Sequence, residues 1–498
     1  VIERQPATTT QEKPRGAPKD PCSMQAASSA PPRRRPGSRA LVALLIGVLG
    51  VPVAMVRAWA PSPAETVSLI GGTPPTTAVT VDIAPSETPV MAGAGVAPAS
   101  SRIGTRSARA QTRRTVLAPA QTPTTVTWPA RVGAETIGVN AQFLFDMAPE
   151  SRVPHFQQMH AAGISVVRRD ANWNEIEPHP PGLFGAHQYD WRRYDEWAMG
   201  LAQAGLRWQI TLGYSAVWAS SRPSDKPEAQ FYPPARTADF TAYATAVARR
   251  YGQGGEFWRA NPQLTARPVT TYEVWNEQNE SHWWQPQPDP VAYADLYLAS
   301  RAAVVAVDPS ASVVVGGLST QLTSTKAAIA AKDFVAQMYG ARGELRSVVP
   351  AIGYHSYPHS SQSPAEDVVQ NVVDFRAGVN AVHPGVPILL NEYGWSTQGT
   401  AGDAIPTVSE SERANAIATA TDRLARSNCG VVQLMIHTWV GFEDTPYPPI
   451  PLDSPERWYG IYNRDATPKP SGAAYAATIQ RLLGRGPGPP DPATVDLC

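Results

Sequence analysis

Two stretches decide the fold: TYEVWNEQN, from Thr271 to Asn279, and PILLNEYGWS, from Pro387 to Ser396. Each begins as a short run of apolar, β-branched and aromatic residues, the composition of a strand. Each then carries an Asn-Glu pair, Asn276-Glu277 in the first and Asn391-Glu392 in the second. Amides and carboxylates that close an apolar run are costly to bury without partners. Two such endings therefore point to one shared polar rim.

Outward from these, six further runs have the same character. They are ETIGVNAQFLF from Glu135, SVVRRDANW from Ser165, LRWQITLGYS from Leu206, SVVVGGLS from Ser312, PAIGYHSYP from Pro350 and VVQLMIHTWV from Val431. Helical patterns alternate with them at Val153–Ala162, Trp191–Ala204, Ala238–Tyr251, Val291–Val307, Lys326–Tyr339, Ala365–Val382, Ser409–Arg426 and Ser471–Leu483. Asp190 and Asp239 sit where acids favour a helix N-terminus, and Gly163 and Gly205 follow helices as C-cap glycines do. Eight strand–helix pairs in roughly 350 residues predict an α/β fold, a (β/α)8 TIM barrel with long insertions over residues 129–485.

Chemistry in such a barrel sits at the C-terminal ends of the strands. The second run ends with Arg168 and Asp170, the fourth with Asn276 and Glu277, and the sixth with His355 and Tyr357. The seventh ends with Asn391 and Glu392, and the eighth with His437 and Trp439. Hydrolysis of an acetal needs one acid to protonate the leaving oxygen and a second carboxylate to attack the sugar. Glutamates ending the fourth and seventh strands face each other across the barrel mouth, which suits the ~5–5.5 Å separation of a retaining pair. Their pKa values must be pushed apart, and Arg168 is a suitable cation for the ionised partner.

YEVWNEQNE from Tyr272, ILLNEYGWS from Ile388 and GISVVRRDANWNEIEP from Gly163 resemble motifs of the clan A glycoside hydrolases, nearest to the cellulase-like family 5 and the β-xylosidase-like family 39. The resemblance spans roughly Glu135 to Tyr475. It implies that Glu277 is the general acid/base and Glu392 the nucleophile, with Asn276 on the sugar 2-hydroxyl. It further implies that Arg168 and Tyr357 lie beside Glu392, that His355 contacts the acid/base or the sugar, and that Trp439 forms the floor beneath the sugar. The expected activity is retaining hydrolysis of a β-linked poly- or oligosaccharide. Transglycosylation at the same site, or a catalytically inactive carbohydrate-binding barrel at the cell surface, stand as the alternatives.

Other residues have readings of their own. Trp283, Trp284 and Trp218 fall in loops after strands four and three, where an aromatic face stacks on a sugar or packs into the core; Trp283 is taken as substrate-binding. Trp191 and Trp197 read as packing. Glu273 reads as a structural ion-pair member and Glu280 as loop, while Glu443 and Asp444 follow strand eight, where they could touch substrate. Gly316-Gly317 on strand five reads as close packing. The nine histidines form no H-E-x-x-H pattern, and there is no Walker loop or dinucleotide fingerprint, so neither metal nor cofactor is expected.

The flanks differ sharply from the barrel. The chain has 41 Phe, Tyr and Trp residues, yet Trp59 is the only one before Trp128. Such a stretch cannot bury enough apolar surface to offset its ordering entropy. Residues 1–39 carry a net charge of +5, Arg57 adds one, residues 58–128 carry +2 and residues 129–498 carry −8, so the neutral total is a cancellation. The balance argues against a nucleic-acid partner. Residues 1–39 read as a disordered basic cytoplasmic tail. Residues 40–57 contain 17 uncharged residues, ALVALLIGVLGVPVAMV, at the short end of a membrane span. Arg33-Arg34-Arg35 and Arg39 upstream would stay in the cytoplasm. This segment is a transmembrane signal-anchor or a signal peptide cleaved after Ala58-Trp59-Ala60. Residues 58–128 read as a Pro/Thr/Ala-rich disordered spacer and 486–498 as a C-terminal tail. A monomer is expected, tethered to the cell membrane with an extracytoplasmic catalytic domain, or secreted. Cys429 and Cys498 fall at the same end of the barrel and are free to pair or not, with Cys22 apart from both.

Overall fold

The computed structural model describes residues 132–226, 228–399, 406–443, 453–486 and 494–498. The tail, membrane-segment and spacer assignments, and Asp444, lie outside these. So do parts of the loops after strands three and seven.

Eight parallel strands close into a barrel in sequence order: β1 Ile137–Asn140, β2 Val166–Asn172, β3 Arg207–Gly213, β4 Thr271–Val274, β5 Ser312–Leu318, β6 Ile352–Ser356, β7 Ile388–Tyr393 and β8 Val431–Ile436, with β8 pairing back onto β1. All eight fall inside the runs expected to form them. The principal wall helices are Pro149–Ala162, Arg192–Gln203, Thr237–Tyr251, Pro290–Val307, Ala331–Ala341, Pro364–Asn380, Glu410–Ala425 and Pro470–Leu482.

Local chemistry sets their ends. The Asp289 side chain accepts from the backbone N–H groups of Val291 and Ala292, and Pro290 occupies the first turn, where its missing N–H costs nothing. Ser409 and Glu412 form a reciprocal capping box. Gly163, at φ 92°, closes the first wall helix in the left-handed conformation that glycine adopts without strain. The helix Pro290–Val307 is long and apolar enough to cross a membrane by length and composition alone. It belongs to the barrel wall, where the Tyr293 and Tyr297 hydroxyls donate to the carbonyls of Val274 and Val313 at 2.8 and 2.9 Å.

At the bottom of the barrel, Cys429 and Cys498 form a disulfide with Cα atoms 5.1 Å apart. Ser427 pairs with Val495 as a parallel bridge, and Asn428 Oδ1 accepts from the N–H groups of Leu497 and Cys498. The last residues of the tail are thus fastened to the barrel, where the sequence suggested an irregular end.

Candidate active site

Arg168 organises the site from the middle of β2. Its Nε and Nη2 donate to the two oxygens of Glu273 on β4 at 2.8 and 3.0 Å. That leaves Nη1 to reach Asn140 Oδ1 at 2.9 Å and Glu392 Oε1 at 2.6 Å, while Nη2 also reaches Asn276 Oδ1 at 2.9 Å. Glu273 has no solvent exposure and accepts further bonds from Gln209 Nε2 at 2.7 Å and Asn391 Nδ2 at 2.5 Å. Gln433 Nε2 on β8 donates to Gln209 Oε1 at 2.8 Å. Side chains of β1, β2, β3, β4, β7 and β8 therefore make one buried polar network inside the barrel. A buried carboxylate is tolerable here because nearly every lone pair is used.

The two expected catalytic carboxylates come together, but through a different backbone path from the one anticipated. Pairing of β4 stops at Val274, and the chain turns through left-handed conformations at Trp275 (φ 68°) and Glu277 (φ 49°). The Glu277 N–H is then held by the Gly317 carbonyl at 2.8 Å. Gly316 and Gly317 make this turn possible. A Cβ on Gly316 would overlap the Trp275 carbonyl, and one on Gly317 would overlap the His355 imidazole. Glu392 lies on β7, opposite His355 on β6, at a shift in the strand register that follows Tyr354. Oxygens of Glu277 and Glu392 and a ring nitrogen of His355 all lie within 4.8 Å of one another. These three are the group among the described residues whose donor atoms could hold a cation.

Glu392 Oε2 accepts from the Tyr357 hydroxyl at 2.6 Å, with His355 Nδ1 at 3.5 Å and His437 Nδ1 at 3.7 Å. Burial alone would raise this carboxyl. His355, His437, Arg168 and the Tyr357 hydroxyl outweigh it and hold the pKa down at about 2. Burial also pushes His355 down to about 4 and lowers His437. Both rings are then uncharged near neutrality, so Arg168 is the lasting cation beside Glu392. Glu277 goes the opposite way. Burial, reinforced by the negative charges of Glu280 and Glu392, raises it well above the usual carboxylate range, and Arg168 and the Trp283 indole only partly offset this. His355 Nδ1 lies 2.8 Å from Glu277 Oε1.

The remaining expected residues divide. Asn276 lies against Arg168, and Trp283 sits half-buried with its ring stacked on Tyr214 at 5.5 Å. Trp284 is buried at 2% exposure, and Trp197 is fully buried as expected of packing. Trp439 departs from the expectation of a sugar floor. It is fully buried, its ring stacks on Tyr462 at 3.7 Å, and its Nε1 donates to His155 Nδ1 at 3.1 Å. The reason is backbone geometry: β8 ends at Ile436, so alternation no longer places Trp439 on the face that His437 occupies. Asp170 faces inward with Arg168 and pairs with Gln142 Nε2 at 2.5 Å, whereas the Arg169 guanidinium packs 3.5 Å from the centre of the Phe145 ring. Glu443 is held by Lys469 at 2.7 Å. Three participants were overlooked. Asn140 is the polar residue that ends β1, Tyr459 stands in an irregular segment with no pattern to mark it, and Glu280, read as loop, adds negative charge beside Glu277.

No protein-family model matches the chain, and no curated protein does. Among solved structures it is similar to a glucosidase from Croceicoccus marinus, at 17% identity and a TM-score of 0.51, over 70% of this chain and 68% of that one. It is also similar to the GH39 enzyme from Xanthomonas axonopodis pv. citri, at 19% identity and a TM-score of 0.50, over 70% of this chain and 67% of that one. At such identities the likeness establishes the fold alone: the chain is a (β/α)8 barrel of the kind found in those hydrolases. What it does rests on the site.

Proposed function

We propose that the protein is a retaining β-glycosidase acting on a β-linked poly- or oligosaccharide. The observation that carries this is the carboxylate pair, with oxygens within 4.8 Å of each other and pKa values displaced in opposite directions. A close pair holding one proton and one charge near neutrality is what double displacement requires. The sequence motifs around Glu277 and Glu392, and the fold shared with a glucosidase and a GH39 enzyme, agree with this reading.

In the first step an oxygen of Glu392 attacks the anomeric carbon and the bond to the leaving oxygen breaks. Glu277 gives that oxygen its proton, leaving a glycosyl ester on Glu392 and an ionised Glu277. In the second step Glu277 takes a proton from water, the water oxygen attacks the anomeric carbon, and the ester bond breaks to restore Glu392. Arg168 and Tyr357 keep Glu392 ionised and oriented, and Asn276 is poised for the sugar 2-hydroxyl. His355 lies between the two carboxylates and positions Glu277. Trp283 brings its indole N–H beside the acid/base.

The domain order accompanying this reading is a basic tail over 1–39, an anchor or leader over 40–57, a spacer over 58–128, the catalytic barrel over 129–485 and a short tail to 498. We infer an extracytoplasmic catalytic domain; the Cys429–Cys498 disulfide supports an oxidising location. A panel of aryl β-glycosides, with proton NMR of the first-formed anomer, tests the activity. Products that retain the β configuration are expected, and inverted products or no turnover would overturn it.

A further inference from the structure

His437 stands at the mouth of β8 with no part in the double displacement as written, yet it faces the reacting groups. Its side chain is 13% exposed, and Nδ1 lies 3.7 Å from Glu392 Oε2, too far for a hydrogen bond. That nitrogen is buried and has no hydrogen-bond partner. The rings of Tyr459 and Tyr357 stand edge-on to the imidazole at 5.3 and 6.1 Å and restrict where it can turn. Burial keeps it uncharged near neutrality. A buried polar atom without a partner is costly and is rare unless something else completes it.

We propose that His437 is a sugar-binding, specificity-determining residue, whose imidazole exchanges a hydrogen bond with one hydroxyl of the ring held over Glu392. The inference rests on the glycosidase reading and deepens it. A sugar whose anomeric carbon comes within the ~3–3.5 Å attack distance of a Glu392 oxygen brings its ring substituents within reach of this imidazole. An uncharged ring with an unused nitrogen matches a neutral hydroxyl better than an anionic substituent, because it can serve as either donor or acceptor. Trp439, the other aromatic candidate at this end of β8, is sealed behind Tyr462.

The test pairs the enzyme with its substrate in a cycle. The kcat/KM of the full chain and of H437A and H437F is measured on the aryl β-glycoside that the wild type cleaves best, and on its monodeoxy analogues. H437A is expected to lose about tenfold on the parent glycoside. For one deoxy analogue, wild type and H437A are expected to be nearly equal, because the hydrogen bond is already absent. H437F is expected to behave as H437A does. Partial misfolding would scale every substrate alike and cannot imitate this selectivity. Equal losses on every analogue, or restoration of the parent rate by H437F, would overturn the role of His437 while leaving the glycosidase reading intact. A wild type inactive on every glycoside would overturn both.

Discussion

Glu273 grips Arg168 through both carboxylate oxygens, at 2.8 and 3.0 Å, in a site where neither side chain is more than 4% exposed. This fork fixes the guanidinium plane and aims Nη1 at Glu392. Arg168 is therefore oriented from inside the barrel, and Glu273 acts through it as a positioning residue. Lysine cannot reproduce a planar fork that serves several acceptors at once. R168K is expected to lose about 10²–10³ in kcat, the scale of a lost preorganised donor. Glu392 is ionised above a pKa of about 2, and the uncharged R168M, which removes its cation, raises that value. The acidic limb of the kcat/KM profile should accordingly move to higher pH. An unchanged acidic limb would separate Arg168 from the ionisation of Glu392.

Glu280 bears on the other limb. Its negative charge helps to raise Glu277, and its Oε1 accepts from Gln321 Nε2 at 2.6 Å. A general acid works only while protonated, so activity falls as pH rises through the Glu277 pKa. Removing the neighbouring charge lowers that pKa. The E280Q variant should therefore shift the alkaline limb to lower pH, with little change in rate at the optimum. A shift in the opposite direction would contradict the electrostatic account.

Gly317 tests how tightly the upper site is packed. Its missing side chain leaves the room that His355 fills, and its carbonyl holds the Glu277 N–H. G317A should displace His355 and uncouple it from Glu277, with a fall in kcat of about tenfold or more. The stability cost should be that of overpacking, about 1–3 kcal/mol by denaturant unfolding. Wild-type kcat with unchanged stability would mean that the site relaxes freely around the new methyl.

The Cys429–Cys498 disulfide lies at the opposite end of the barrel from the carboxylates and spans a sequence separation of 69 residues. Constraint of the unfolded chain over a loop of this length contributes about 4 kcal/mol in the chain-entropy account. A C429S/C498S double variant should unfold at lower denaturant or temperature and keep its native kcat at 25 °C. A loss of kcat without loss of stability would contradict this separation of roles.

Much of this was legible in the sequence because barrel strands are marked twice, by apolar composition and by the polar residues that end them. SVVRRDANW and PILLNEYGWS are each placed by such a pattern, and so are Arg168 and Glu392. Alternation fails where the backbone stops being a strand. Trp439 lies beyond the end of β8 and turns away from the site, while His437 stays in it. Glu277 reaches the site through two left-handed residues that no periodicity signals. Glu280 and Tyr459 act through space from irregular segments, and their proximity to the carboxylates follows from tertiary packing alone. The register shift that sets His355 opposite Glu392 is likewise a property of the closed sheet.

The central claim is that Glu392 becomes covalently attached to the sugar while Glu277 supplies and recovers the proton. Aryl glycosides bearing fluorine at carbon 2 of the sugar slow the second step and let the ester accumulate. Intact-mass and peptide-mass measurement of the full chain after incubation with such reagents tests the claim most directly. One fluorosugar per chain is expected, carried on the peptide that contains Glu392 and absent from E392Q. E277Q should label slowly with poor leaving groups and readily with activated ones. A wild-type enzyme that turns over its substrate yet labels on a peptide lacking Glu392 would contradict the account.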